Sequence, residues 1–194
     1  MRQPEDTHTV DLVDVANARE VLAQLQMICD GGAVKRYHAK PVLITETVGE
    51  HSFYVAWLCY IIDPDRCTAK LLLAALAHDL PEWKFGDLPS PTKRLLGSEA
   101  LGKAEDELLA SVGLLQKLSP YEANLLALAD RVAGLLYCLR ERQMGNQQLE
   151  VTFRRYQEYI KDLRAKGGIV VDHPRAKKLL SAITASWLGA KNHG

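Results

Sequence analysis

Thr68-Ala69-Lys70-Leu71-Leu72-Leu73-Ala74-Ala75-Leu76-Ala77-His78-Asp79-Leu80-Pro81-Glu82 is the stretch that decides how this chain is read. From Leu71 to Ala77 every residue is apolar, so the run predicts a central helix buried nearly all round. Pro81 disfavours α conformation at Leu80 and places His78 and Asp79 in the last turn. There the negative end of the helix dipole helps to hold a cation. Successive side chains on a helix diverge by about 100°, yet both can reach one ion lodged beside the helix end.

Working outward, the same chemistry recurs on two flanking segments. Upstream, Thr47-Val48-Gly49-Glu50 fits a capping box that opens a helix running to Ile62. His51 then falls in its first turns, on the stripe of Val55, Leu58 and Ile62, and faces the core. Downstream, Ser119-Pro120-Tyr121-Glu122 combines an N-cap serine, a first-position proline and a glutamate that closes the box, starting a helix that runs to about Met144. Asp130 and Arg131 are its only charges between Asn124 and Leu139, and the stripe Leu126, Ala129, Val132, Ala133 and Leu136 puts Asp130 at or beside the buried face. A buried carboxylate without a partner costs several kcal/mol, so Asp130 calls for a cation or a hydrogen bond.

Two imidazoles and two carboxylates, His51, His78, Asp79 and Asp130, are a donor set for one catalytic divalent cation with positions left for water and substrate. Mixed nitrogen and oxygen ligands suit Co2+, Mn2+, Zn2+ or Fe2+; two imidazoles suit magnesium poorly.

The rest of the chain is helical with almost no strand alternation. Ala16 to Cys29 carries Val21, Leu22, Leu25 and Ile28 at helical spacing, and Gly31-Gly32 stops it. Between Glu82 and Lys93 one glycine and two prolines predict a loop feeding a short helix. Further helices are expected over Ser98 to Val112, Leu149 to Ala165 and Pro174 to Leu188. Trp57, Trp83 and Trp187 read as packing, Arg140 to Arg142 and Lys177-Lys178 as solvated faces. His8, His38 and His173 take no assignment.

At 194 residues and 47% hydrophobic content, the expectation is an all-α, single-domain helical bundle over residues 1–194. Twenty-four basic and twenty-four acidic residues leave no formal charge, which argues against a nucleic-acid or membrane surface and for a small partner. Cys29, Cys59, Cys67 and Cys138 have no C-x-x-C spacing and read as buried free thiols. No apolar run reaches about 18 residues and residues 1–6 contain no apolar leader, so a reducing cytoplasm is expected.

The order His, then His-Asp, then a distant Asp on helices resembles the HD-domain metal-dependent phosphohydrolases. The longer blocks Arg36-Tyr37-His38, Val48-Gly49-Glu50-His51-Ser52, His78-Asp79-Leu80-Pro81-Glu82 and Gly86-Asp87-Leu88-Pro89-Ser90-Pro91-Thr92-Lys93 are similar to those of 5'-deoxynucleotidases, most of all to phage enzymes that strip triphosphate from dATP. The resemblance spans about residues 32–138. It implies an HD-domain bundle, metal ligation by His51, His78, Asp79 and Asp130, and contact of Asp87 with the sugar 3'-hydroxyl, which disfavours ribose; assistance of proton transfer is the alternative, catalytic role for Asp87.

Other roles follow from side-chain chemistry. Glu82, four residues after His78, is placed to act as general base or to hold a second cation with the substrate phosphates. Arg36 offers a planar fork and Lys93 a point charge for phosphate. Tyr37 would stack on the base opposite Pro91; the commoner pattern has tryptophan at that position. The leading substrate is dATP, with deoxynucleoside monophosphates next. An HD phosphodiesterase and a non-catalytic helical module are the readings from other classes. Relatives of this kind commonly assemble as dimers or hexamers, and the amphipathic C-terminal helix would serve as the contact.

Overall fold

A computed structural model of the chain describes residues 12–190; the expectations for residues 1–6 and for His8 lie outside the described residues. Among these, helices carry the fold and the sole β contact is an isolated bridge between Lys35 and Thr47. The long helices are α1 (Leu12–Gly32), α2 (Val48–Ile62), α3 (Ala69–Ala77), α6 (Ser98–Ser111), α7 (Pro120–Gln143), α8 (Glu150–Ala165) and α9 (Pro174–Gly189), with the short α4 (Glu82–Phe85) and α5 (Ser90–Leu96) between α3 and α6. No described helix is long and apolar enough to cross a membrane.

Local rules set the two helices at the centre. Thr47 and Ser119 each accept from the N3 backbone while Glu50 and Glu122 reach back to the cap, as the two boxes predict. α7 is the axis of the bundle, with α2 and α3 on one side and α8 and α9 on the other. Val55, Cys59, Ile62, Leu71, Leu125, Leu128 and Val132 form the inner core with essentially no exposure. On the opposite side Trp187 stacks on Phe153 at 3.8 Å. A Cβ on Gly134 would lie 2.3 Å from Cζ of Tyr156, so only glycine lets α8 lay that ring against the backbone of α7.

Several sequence expectations need correction. α3 ends at Ala77, two residues before the expected Asp79: His78 caps it and Asp79 lies in the turn beyond, where the chain unwinds ahead of Pro81. The helix is also not buried all round. Ala74 and Ala75 are turned inward, while Leu73 and Leu76 stay exposed, Leu76 beside Phe53, Trp57 and Tyr60 of α2.

The stripe of Val21, Leu22, Leu25 and Ile28 on α1 faces outward, with Leu22 63% exposed. α1 meets the body chiefly near its C-terminal end, where Met27 is buried and Gly31 sits so close to Leu80 that a Cβ would fall 2.6 Å from the Leu80 carbonyl. Trp57 and Trp83 are exposed and only Trp187 packs as expected.

Arg140 is solvated, but Glu141 and Arg142 are buried. Glu141 accepts from the backbone of Leu43 and Ile44, and Arg142 pairs with Glu150 at 2.8 Å beneath Trp187. The last turn of α7 is therefore covered by the 41–44 segment and by α9, which a single-helix pattern does not report. Of the four free cysteines Cys59 and Cys138 are buried, Cys67 is half-buried, and Cys29 is exposed on the outward side of α1.

Candidate metal centre and its cleft

The capping box of α2 puts His51 on the turn that faces α7, where it is fully buried. Its Nε2 lies 3.1 Å from Oδ1 of Asp130 on α7 and 3.7 Å from Oδ2 of Asp79. His78 comes in from the end of α3, with Nε2 3.4 Å from the same Asp79 oxygen and its ring 5.4 Å from that of His51. Three elements distant in sequence thus deliver four side chains to one place, as expected.

Hydrogen bonds set the chemical state of these groups. Nδ1 of His78 is 2.8 Å from the carbonyl oxygen of Ala75. A carbonyl only accepts, so Nδ1 carries a proton, and Nε2, a buried atom that takes part in no hydrogen bond, is the ring nitrogen left to face the centre. Burial lowers the pKa of His51 and favours its neutral form. Burial opposes the charge of both aspartates, yet each is held below the usual carboxylate range. His51 and Arg131 do this for Asp130, His78 and Arg36 for Asp79.

A neutral imidazole at His51 beside carboxylates held ionised is what a divalent cation requires. The ligand atoms of His51, His78 and Asp79 lie within 4.8 Å of one another, close to the separation of ligands each about 2.0–2.2 Å from a shared ion. Asp130 joins this group through His51. Its other oxygen is fixed 2.6 Å from Nη1 of Arg131, which also donates to Ala127.

A cleft of about 380 Å³ opens beside the centre, lined by Arg36, Asp79, Glu82, Asp87, Lys93 and Asp130 among others. Glu82 is 3% exposed, with Oε2 buried and unbonded and Oε1 3.4 Å from Nζ of Lys93. Burial, reinforced by Asp79 and Asp87, pushes its pKa up to about 8.

Arg36 reaches the cleft, but its fork is turned onto protein carboxylates: Nη1 lies 2.6 Å from Asp79 and Nε 3.2 Å from Glu46. A buried guanidinium has to be paired, and these two acids pair it.

An adjoining chamber of about 230 Å³ holds Tyr37 and Pro91 and shares Arg36 and Asp87 with the cleft. One face of the Tyr37 ring is already stacked on Tyr137 at 4.4 Å, which leaves a ligand only the other. Its hydroxyl lies 2.8 Å from that of Tyr156. His38, unassigned from sequence, lies at the rim with Nδ1 3.9 Å from Asp87.

Sequence reasoning missed Thr152, Arg155, Tyr156 and Tyr159 on α8, and Arg94 and Arg131 in the cleft. The α8 set was findable in principle, since 152, 155, 156 and 159 follow the i, i+3, i+4, i+7 rule for one helix face.

Comparison with known proteins agrees with this arrangement. No curated protein sequence matches the chain significantly. Three solved structures share its fold. An HD-domain phosphohydrolase from Listeria innocua is 19% identical, covers 85% of this chain and 98% of its own, and has a TM-score of 0.60. The cyanophage S-2L HD phosphohydrolase DatZ, bound to dA and one catalytic Zn2+ ion, is 17% identical over 84% of this chain and 96% of its own, with a TM-score of 0.59. A protein of Pyrococcus horikoshii is 20% identical over 86% and 98%, with a TM-score of 0.61. The family model described as HD domain matches residues 33–162. That match takes in every side chain of the centre and more than half of the sequence, and on it this chain belongs to the HD-domain family.

Proposed function

We propose that this protein is a metal-dependent phosphohydrolase that cuts the 5'-phosphoester of 2'-deoxynucleotides. A deoxynucleoside and triphosphate are its products, and the motif blocks make dATP the first substrate to try. One observation carries the reading: the ligand atoms of His51, His78 and Asp79 gather within 4.8 Å beside a cleft that Arg36, Lys93, Arg94 and Arg131 line. Guanidinium and ammonium groups in that number suit a chain of phosphates. The likeness to DatZ, with its dA and zinc, supports a deoxynucleoside product.

Co2+, Mn2+, Zn2+ or Fe2+ held by His51, His78, Asp79 and Asp130 would polarise a phosphate oxygen and make a water more acidic. Arg36 and Arg131 keep Asp79 and Asp130 oriented and ionised. Glu82, with a pKa near 8, can carry or release a proton close to neutral pH. Asp87 stands between the cleft and the chamber, where a sugar joins phosphate to base, and there disfavours a 2'-hydroxyl.

The monophosphate reading draws on a different observation. Arg36, Lys93 and Arg131 are each already paired with a carboxylate, which reduces what is free for second and third phosphates.

Release of deoxyadenosine from dATP and dAMP with Co2+ or Mn2+ tests both. His78→Ala and Asp79→Ala are expected to abolish it. Turnover of dAMP alone selects the nucleotidase, and no turnover of any nucleotide together with no retained ion leaves a non-catalytic module. A homo-oligomer is proposed as well. The exposed side chains Phe53, Trp57, Tyr60, Leu73 and Leu76 offer a second copy more apolar surface than the C-terminal helix, whose Trp187 is buried; sedimentation at two concentrations reads the state.

A further inference from the structure

Beyond Asp87, one wall of the adjoining chamber is a single face of α8: Thr152, Arg155, Tyr156 and Tyr159. Tyr37, Leu88, Pro89 and Pro91 supply apolar and aromatic surface around it. Because Arg36, Asp87, Leu88, Tyr156 and Tyr159 border both chamber and cleft, one ligand can lie across the two.

Arg155 gives the chamber its chemical character. It is half-buried and, among the described residues, takes part in no hydrogen bond, ion pair or ring contact. Its guanidinium carries donors only. The other polar groups are largely committed. The hydroxyls of Tyr37 and Tyr156 bond each other, Tyr159 accepts from Arg94 at 3.4 Å, and Asp87 accepts the Tyr37 N–H at 2.6 Å. No asparagine or glutamine lines the chamber. The exposed Lys40 at the chamber adds further donors and, of the uncommitted side chains, only Thr152 and His38 keep acceptor capacity, so what remains free for a ligand is mainly hydrogen-bond donation.

We infer that Arg155 reads the edge of the nucleotide base, and that the favoured base presents two adjacent acceptors there: guanine, rather than adenine. The inference rests on the proposed deoxynucleotide activity and changes its base from the one that the motif blocks point to. Arginine meets the O6 and N7 acceptors of guanine with two parallel bonds, whereas adenine is met by a side-chain amide that offers donor and acceptor together. The adenine amino group would bring a donor up to a donor.

The test assays the whole protein with Mn2+ on dGTP, dTTP, dATP, dCTP and the four monophosphates. Wild type is expected to favour the guanine nucleotides over the adenine ones by about tenfold in kcat/KM, the scale of one bidentate pair. Arg155→Met should bring that ratio to within about threefold of unity, acting chiefly on KM, and Arg155→Lys, which keeps charge but not the fork, should retain only part of it. A wild-type preference for adenine, or an equal loss on all four bases in Arg155→Met, overturns the inference. Equilibrium binding of deoxyguanosine and deoxyadenosine separates it from the activity. Tighter deoxyguanosine binding that Arg155→Met abolishes upholds the base assignment even if no nucleotide is hydrolysed, and equal binding of the two nucleosides rejects it.

Discussion

Asp87 is held by the backbone of Tyr37, whose N–H donates to its carboxylate at 2.6 Å while Tyr37 itself sits in the left-handed region with φ 55. A non-glycine residue pays about 1 kcal/mol or more for that conformation. The turn is stabilised by what Tyr37 does from there: it stacks on Tyr137, shares a hydrogen bond with Tyr156 and fixes the acid that borders both chamber and cleft.

With Asp87 so fixed, Asp87→Ala should lose sugar discrimination before it loses hydrolysis. The ratio of kcat/KM for dATP over ATP is expected to fall at least tenfold. Equal use of the two nucleotides by the wild type would remove Asp87 from that role.

The Ala75 carbonyl fixes the ring of His78, one of the proposed metal ligands. Removing it with His78→Ala should lower the bound Co2+ or Zn2+ from about one ion per chain to a small fraction, measured by elemental analysis after desalting. The rise in Tm that added metal gives the wild type through preferential binding to the folded state should vanish with it. An unchanged metal content in His78→Ala would place the ion elsewhere.

Gly134→Ala sets two effects against each other. Alanine is favoured over glycine within a helix by about 1 kcal/mol, but its Cβ would lie 2.3 Å from the Tyr156 ring. Overpacking of that kind costs about 1–3 kcal/mol. The variant should be less stable than wild type in urea, and the loss should shrink in Gly134→Ala/Tyr156→Ala relative to the sum of the single changes, the mark of direct contact.

Glu122 links the fold to pH. Bonds from the Ser119 backbone, the Thr68 and Ser119 hydroxyls and Lys70 hold its pKa down to about 2, against 4.5 for a free carboxyl. A group whose folded pKa is depressed binds its proton less well in the folded state, so its contribution is full above about pH 4.5 and drains away as pH falls towards 2. Glu122→Gln should cost about 1 kcal/mol at pH 7, the worth of a capping interaction. Its urea midpoint should also drop less than that of wild type between pH 5 and pH 3.

Local interactions were legible in the sequence because they act over a few residues. Thr47 with Glu50 and Ser119 with Glu122 each complete a box within four positions, and the same short-range geometry turns His51 inward and brings Asp130 to the edge of the core. His78-Asp79 before Pro81 marked the end of α3 to within two residues. That two histidines and two aspartates from α2, the end of α3 and α7 could meet was therefore within reach of the spacing.

What tertiary structure decided depends on partners far away in the chain. Arg36 read as a free phosphate fork, but Asp79, 43 positions later, takes one of its nitrogens. Tyr37 read as an open stacking platform, yet Tyr137 covers one face and Tyr156, 119 positions on, claims its hydroxyl. The stripe on α1 read as the apolar side of a helix, and no described element covers it. Periodicity reports which side of a helix is apolar; only the packing of other helices determines whether that side is buried, and which charges meet across a cleft.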